Sequence, residues 1–153
     1  MRLALYQPEI AGNVGAILRL GACLGAGVDI IEPTGFAWSD KQLARSGMDY
    51  VGHVDIRRHA DWAAFLASAP GRIVLLTTRG AERIDKAAFH PDDVLLMGSE
   101  GSGVPDDVHE RADLRVLIPL APGMRSLNVA VAAGIALGEA LRQTGGWPGA
   151  SPA

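Results

Sequence analysis

Arg19 is the first residue whose type and surroundings could support chemistry. It ends the segment Asn13-Val-Gly-Ala-Ile-Leu-Arg19, which follows a short apolar run at the start of the chain. The spacing predicts that Arg19 lies in the first turns of a helix whose opposite face is apolar. Taken alone, the pattern favours a solvent-facing arginine over a functional one, because short patterns in one sequence have low specificity.

A glycine-rich segment, Gly98 to Pro105, follows the apolar run Val94 to Met97. Glycines let the backbone bend sharply or approach a ligand closely, and open parallel sheets bind ligands at the carboxyl ends of their strands. The chain has neither the fingerprint G-x-G-x-x-G after its first strand nor the phosphate-binding loop G-x-x-x-x-G-K-[ST]. A structural turn and a ligand-binding loop are therefore equally compatible with this segment.

The third segment, Ile118 to Ala130, combines a strand end, a loop rich in proline and glycine, and the start of a helix. Ser126 or Asn128 would cap this helix, and a serine at a helix start is more often a cap than a ligand group. All three segments are expected at the carboxyl ends of strands, where they could converge on one pocket. Such convergence is what a cofactor site requires.

Alternating strands and helices would position these segments. Continuous apolar runs predict strands buried on both faces at Leu3 to Tyr6, Val28 to Ile31, Ile73 to Leu76, Val94 to Met97 and Leu114 to Ile118. Helical spacing occurs in Val14 to Leu24, Trp62 to Leu66, Pro105 to Arg111 and Leu127 to Leu141. The alternation predicts an α/β fold with a parallel sheet and helices on both faces. We expect one domain over residues 1–146 and a loose tail over residues 147–153.

Composition limits the class of protein. The 153 residues suffice for one compact domain, and their formal net charge of −3 argues against a nucleic-acid binder, because phosphates call for clustered Lys and Arg. Cys23 lies in an apolar helical pattern, which predicts a buried thiol in a reducing compartment. No apolar run reaches the roughly 18 residues of a membrane span, and the N-terminus does not resemble a signal peptide. We therefore expect a cytoplasmic protein with no membrane partner.

One region could bind RNA despite this acidic balance. The segment Trp38 to His59 contains Lys41, Arg45 and Tyr50, although aspartates interleave with its basic residues. RNA contact and a solvated surface helix are equally compatible with Lys41 and Arg45. For Trp38 a structural role is favoured. No Cys/His cluster or set of carboxylates has metal-ligand spacing, so we predict no metal.

Taken in order, the three segments resemble the motifs of the SPOUT RNA methyltransferases. These motifs are N-x-G-A-I-x-R at Asn13 to Arg19, G-x-E-x-x-G-V-P at Gly98 to Pro105, and I-P-L-x5-S-L-N-V at Ile118 to Val129. Each is modest alone, whereas the three together are highly specific. Within that family the chain most resembles the tRNA (cytidine/uridine-2′-O)-methyltransferases of the wobble nucleotide. The segments that carry this likeness are Leu5 to Ile10, Ile31 to Phe36, Asp49-Tyr50 and Thr77 to Gly80.

The resemblance implies a fold, a methyl donor and a partner. It implies a deep trefoil knot at the C-terminal end of the sheet, which forms the S-adenosylmethionine pocket, and a homodimer that methylates tRNA. The residues implied to enclose the donor are Leu76, Thr77, Gly98, Ile118, Leu120 and Ser126, and those implied to brace the loops are Asn13, Glu100 and Asn128. Arg19 is implied to bind and polarise the ribose 2′-hydroxyl rather than to act as a general base, because an arginine side chain stays protonated in proteins.

Several alternatives stay open. Glu100 could simply accept backbone N–H groups, and we favour that role over direct catalysis. The target could be another tRNA position or ribosomal RNA, because Gly98 to Gly103 differs from the motif of some wobble-methylating relatives. The chain could also be an RNA-binding module without turnover, which the complete set of motif residues argues against. A nucleotide-binding α/β domain of ordinary topology is disfavoured by the missing fingerprints.

Overall fold

The structure is a computed structural model that describes residues 1–47, 50–68, 70–79 and 82–149. Asp49 and Gly80, which contribute to the family resemblance, and residues 150–153 of the expected tail lie outside the described residues. Trp147, in the described part of that tail, is 45% exposed and lies beside Gly138. The domain boundary after residue 146 stays a prediction.

The described strands form one seven-stranded sheet. Their bounds are β1 Arg2–Tyr6, β2 Gly27–Ile31, β3 Ile56–His59, β4 Ile73–Leu76, β5 Glu82–Arg83, β6 Val94–Met97 and β7 Leu114–Leu117. The order across the sheet is β3-β2-β1-β6-β4-β7-β5, and each neighbouring pair is parallel. The predicted α/β fold with a parallel sheet is confirmed, and the five apolar runs are β1, β2, β4, β6 and β7.

Helices connect these strands within the described ranges. They are α1 Ala11–Leu24, α2 Asp40–Gly47, a 3₁₀ helix Tyr50–His53, α3 Trp62–Ala67, α4 Asp106–Arg111 and α5 Val129–Thr144. Gly25 ends α1 in the left-handed conformation at φ 74° and donates its N–H to the Gly21 carbonyl. Pro105 precedes α4, which begins one residue after the start of the predicted helix Pro105 to Arg111 and carries Asp106 and Asp107 in its first turn.

Both faces of the sheet are buried. On one face, strand residues such as Leu5, Ile30 and Leu95 pack with the buried sides of α1, α2 and α5. On the other face, Tyr6 and Leu75 belong to a cluster that includes residues of α3 and α4. Each fully buried aliphatic side chain contributes about 1.5–3 kcal/mol, so this two-sided burial holds the strand ends in place beneath the loops.

Strand β3 was not predicted from the sequence. It is an edge strand with the pattern Ile-Arg-Arg-His, and its two arginines are exposed. His59, at its end, is buried and lies 2.7 Å from the Asp29 carboxylate, while Arg2 pairs with the same aspartate. A charged edge strand lacks the continuous apolar run that marks the central strands.

The prediction of a buried Cys23 thiol is wrong. Cys23 is exposed, and so are Gly12, Ala16 and Arg19 on the same helix. Residues three and four apart share one face of a helix, so these positions form a single solvent-facing stripe on α1. Leu18 and Ile17 supply the buried side instead.

Candidate active site

A cavity of about 560 Å³ opens at the carboxyl ends of β4, β6 and β7. All three motif segments contribute to its walls. The predicted donor-binding residues that line it are Leu76, Thr77, Gly98, Ile118, Leu120 and Ser126, and the predicted bracing residues that line it are Asn13, Glu100 and Asn128. Parallel strands end at the same edge of a sheet, so residues distant in sequence meet there.

The loop after β6 is closed on itself. Ser99 and Gly103 form an antiparallel bridge in which their backbone N–H groups donate to each other's carbonyls at 2.9 and 2.8 Å. Gly103 takes a positive φ of 66°, which an L side chain rarely adopts. A Cβ added at Gly98 would lie 2.8 Å from the Gly103 backbone. The loop therefore requires glycine at both positions.

Glu100 ties this loop to the start of α1. Its carboxylate accepts the backbone N–H groups of Glu9 at 2.8 Å and Ile10 at 3.3 Å, and the side-chain amide of Asn13 lies at 3.4 Å. A carboxylate beside the N-terminus of a helix is also favoured by the helix dipole. The contacts are those of a residue that accepts backbone N–H groups, the role that the sequence favoured over direct catalysis.

Asn128 caps α5 and connects it to the first motif. Its side-chain oxygen accepts the N–H groups of Ala130 at 2.8 Å and Val131 at 3.2 Å, while its amide donates to Asn13 Oδ1 at 3.0 Å. Of the two caps considered from the sequence, the structure uses Asn128. Glu100, Asn13 and Asn128 therefore form a hydrogen-bonded chain through all three motifs.

Replacing Asn128 separates its two roles. Asn128→Ala is expected to destabilise the fold by about 1 kcal/mol, because the helix loses its N-cap. Asn128→Asp loses the donor to Asn13 but keeps an oxygen that caps Ala130 and Val131. Because the cap is kept, this variant should retain most of the thermal stability of the unaltered protein. Thermal unfolding of the two variants measures this difference. Equal destabilisation by both would show that the contact with Asn13, not the cap, holds α5.

Arg19 lies outside this set. It is not among the described residues that line the cavity; its guanidinium lies over the Tyr50 ring, 4.9 Å from the centroid. It belongs to the exposed stripe of α1. The three predicted RNA-binding residues are also absent from the described lining: Lys41 and Arg45 are exposed on α2, and Tyr50 is 36% exposed beside Arg19.

Several polar residues at or beside the cavity were not predicted from the sequence as site residues, and two of them are charged. Arg79, at the rim, pairs with Asp106 at 3.3 Å. Glu9 binds the loop after β6 through its carboxylate. Both follow the carboxyl ends of strands, and that position is the signal that could have identified them.

In the part of the chain that the structure describes, no group of three or more His, Cys, Asp or Glu side chains is arranged to hold a metal ion. None of the helices in the described ranges has both the length and the apolar character needed to cross a bilayer.

Similarity to known proteins extends over almost the whole chain. A tRNA (cytidine(34)-2'-O)-methyltransferase of Beijerinckia indica is 55% identical over 146 residues, which cover 94% of this chain and 91% of the relative. The enzyme of the same name from Escherichia coli K12 is 40% identical over 153 residues and covers 98% and 97% of the two chains.

Solved structures agree in fold. One that concerns the 2-OH methylation of C/U34 on tRNA has a TM-score of 0.88 at 42% identity, covering 93% of this chain and 94% of the other. An AdoMet-bound rRNA methyltransferase of Sinorhizobium meliloti has a TM-score of 0.83 at 31% identity and covers 92% of this chain and 55% of the other.

The model of the SpoU rRNA Methylase family matches residues 1–138, a range that contains all three motifs. The resemblance deduced from those motifs is thereby confirmed, and the chain belongs to the SpoU rRNA methylase family.

Proposed function

We propose that this protein transfers a methyl group from S-adenosylmethionine to the ribose 2′-hydroxyl of the wobble pyrimidine of tRNA, a cytidine or a modified uridine. One observation carries the proposal: three motif loops converge on a single cavity in a chain that is 40–55% identical to tRNA (cytidine(34)-2'-O)-methyltransferases. The enzyme would act in the cytoplasm, where its tRNA substrate is found.

The cavity suits S-adenosylmethionine in size and lining. Its volume of about 560 Å³ lies within the range of small-molecule sites. Leu76, Ile118 and Leu120 would contact the apolar surfaces of the donor, while Thr77 and Ser126 would hydrogen-bond its polar groups. Gly98 would present its backbone to the donor, and its missing side chain leaves room for the backbone of Gly103. We propose no metal, because transfer from a sulfonium needs no Lewis acid.

When bound, S-adenosylmethionine supplies an activated methyl group, so the protein's main task is positioning. The loops would hold the donor in line with the 2′-hydroxyl, and such alignment accounts for a large share of many enzymatic accelerations. Arg19 would bind the 2′-hydroxyl and stabilise the negative charge that develops on its oxygen. Because arginine stays protonated, another group accepts the proton.

A second copy of the chain would complete this site. Arg19 is not among the described residues that line the cavity of its own chain. Apolar side chains are exposed on and just before α5, with Leu127 at 38%, Val131 at 51% and Ile135 at 42%. An exposed apolar patch of this kind is typical of an interaction surface. A homodimer would cover it and bring Arg19 of one subunit to the donor of the other.

The proposed fold includes the deep trefoil knot of the family. Two features of the described chain support it: β6 lies between β1 and β4 in the sheet, and α5, which follows the loop after β7, contacts both α1 and β6. The knot would bring the third motif against the first two.

Lys41, Arg45 and Tyr50 would contact the tRNA from outside the cavity. Clustering of basic residues on one side would offset the acidic balance of the chain.

The test is a methylation assay with labelled S-adenosylmethionine and unmodified tRNA, followed by mapping of the methylated nucleoside. A 2′-O-methylated pyrimidine at the wobble position is expected. Methylation at another tRNA position, or of ribosomal RNA only, would keep the reaction and overturn the target. Donor binding without transfer to any RNA would support a non-catalytic RNA-binding module, and no donor binding would overturn the proposal altogether.

A further inference from the structure

Glu9 lies between β1 and α1 and exchanges hydrogen bonds in both directions with the loop after β6. Its backbone N–H donates to Glu100 Oε2 at 2.8 Å. Its own carboxylate accepts the Gly101 N–H at 3.3 Å and the hydroxyl of Ser99. A carboxylate that accepts two donors orients both of them, and hydrogen bonds to a charged group are stronger than those between neutral groups.

Two glycines make room for Glu9. A Cβ added at Gly101 would lie 3.1 Å from Glu9 Oε1, and one added at Gly35 would lie 2.9 Å from Glu9 Cα. Gly35 also donates its backbone N–H to the Pro8 carbonyl at 2.9 Å. The turn after β2 and the loop after β6 therefore lie against Glu9 on two sides, while the rest of the residue is exposed to solvent.

The loop that Glu9 holds is a wall of the cavity. Ser99 is only 8% exposed and carries the backbone bridge to Gly103. Gly98, Ser99 and Glu100 line the cavity, whereas Glu9 is not among the described lining residues. Glu9 thus contacts the wall from behind, and any effect on the donor would be transmitted through the backbone of this loop.

We infer that Glu9 is a positioning residue, which fixes the loop after β6 in the conformation that binds S-adenosylmethionine. The inference rests on the proposed function, because it concerns the same cavity. It assigns to Glu9 a role that complements that of Glu100. The carboxylate of Glu100, in the loop, binds the backbone just before α1. The carboxylate of Glu9, just before α1, binds the backbone of the loop.

The experiment compares Glu9→Ala and Glu9→Gln with the unaltered protein by calorimetric binding of S-adenosylmethionine and of S-adenosylhomocysteine, which lacks the sulfonium charge. Glu9→Ala is expected to raise both dissociation constants about tenfold, because the loop loses two hydrogen bonds to a charged group. Glu9→Gln retains one acceptor oxygen, so its dissociation constants should lie between those of Glu9→Ala and those of the unaltered protein. Glu82→Ala, which removes an exposed carboxylate on β5, is the matched control and should bind both ligands normally.

The two ligands separate a positioning role from simple attraction of charge. Weaker binding of S-adenosylmethionine with normal binding of S-adenosylhomocysteine would overturn the inference, because only a Coulombic effect distinguishes the cationic donor from the uncharged sulfur of its product. Normal binding of both ligands by Glu9→Ala would also overturn it, as would loss of thermal stability in Glu9→Gln without loss of affinity. Failure of the unaltered protein to bind either ligand would instead overturn the proposed function and the inference with it.

Discussion

Replacing Arg19 with alanine is expected to reduce methyl transfer by about 100- to 1000-fold, because the 2′-hydroxyl loses the cation that would stabilise its developing negative charge. Donor binding should be unchanged, since Arg19 is not among the described residues that line the cavity and in the proposed dimer would bind the 2′-hydroxyl rather than the donor. Single-turnover transfer and calorimetric donor binding measure the two effects separately. The fold should persist, because the exposed contact between Arg19 and Tyr50 is worth about 0.5–1 kcal/mol.

Two further variants control this experiment. Arg19→Lys keeps the charge but not the planar fork of donors, so it should recover only a small part of the activity. Arg83→Ala removes an exposed arginine of the edge strand β5, which pairs with Asp85, and this variant should transfer methyl groups normally. If Arg19→Ala instead lost donor binding and kept its rate at saturating donor, Arg19 would belong to the donor pocket.

Subunit exchange would locate Arg19 in the proposed dimer. If Arg19 acts on the donor of the partner subunit, a mixture of Arg19→Ala and Gly98→Ala chains should regain activity, because one of its two sites combines an intact arginine with an intact pocket. No recovery in the mixture would place both residues in the site of the same chain.

The central strands could be predicted because their burial is local and continuous. Val94 to Met97 and Ile73 to Leu76 are buried on both faces, so every residue of each run is apolar. Strand β3 could not be predicted in this way, since Arg57 and Arg58 point to solvent at the sheet edge and its buried residue is a histidine paired with Asp29. Tertiary pairing rather than local pattern creates that strand.

Parts of the site with a local sequence pattern could be predicted, whereas contacts between residues distant in sequence could not. The loops that form the cavity were predicted because glycines, prolines and capping residues at strand ends leave a mark in the sequence, whereas individual donor-binding residues such as Leu76 and Ile118 were implied only by the resemblance to the SPOUT family. The contact between Glu9 and the loop after β6 joins residues 90 and 92 positions apart, and no local pattern encodes it. The predicted burial of Cys23 failed because helical spacing alone did not show which side of α1 faces the sheet.

Gly98→Ala is expected to lower the affinity for S-adenosylmethionine more than any other glycine replacement in this loop. The new Cβ would lie 2.8 Å from both the Cα and the carbonyl carbon of Gly103, and backbone atoms cannot rotate away as a side chain can. The Ser99–Gly103 bridge would have to open, and the wall of the cavity would move with it. Overpacking of this kind costs about 1–3 kcal/mol, which corresponds to a loss of affinity of about 5- to 150-fold if the donor requires the closed bridge.

A graded series of alanine variants tests this explanation. At Gly101 the nearest atoms are the carboxylate oxygens of Glu9, the far end of a flexible side chain, so Gly101→Ala should weaken donor binding less than Gly98→Ala. Gly52 has nothing within 4 Å of an added Cβ and serves as the neutral control. Equilibrium dialysis with labelled donor should therefore give the order Gly52→Ala, Gly101→Ala, Gly98→Ala from tightest to weakest. A Gly98→Ala variant that bound as tightly as the control would show that the bridge can open without cost to the donor, and the loop would then not be the rigid wall on which the positioning role of Glu9 depends.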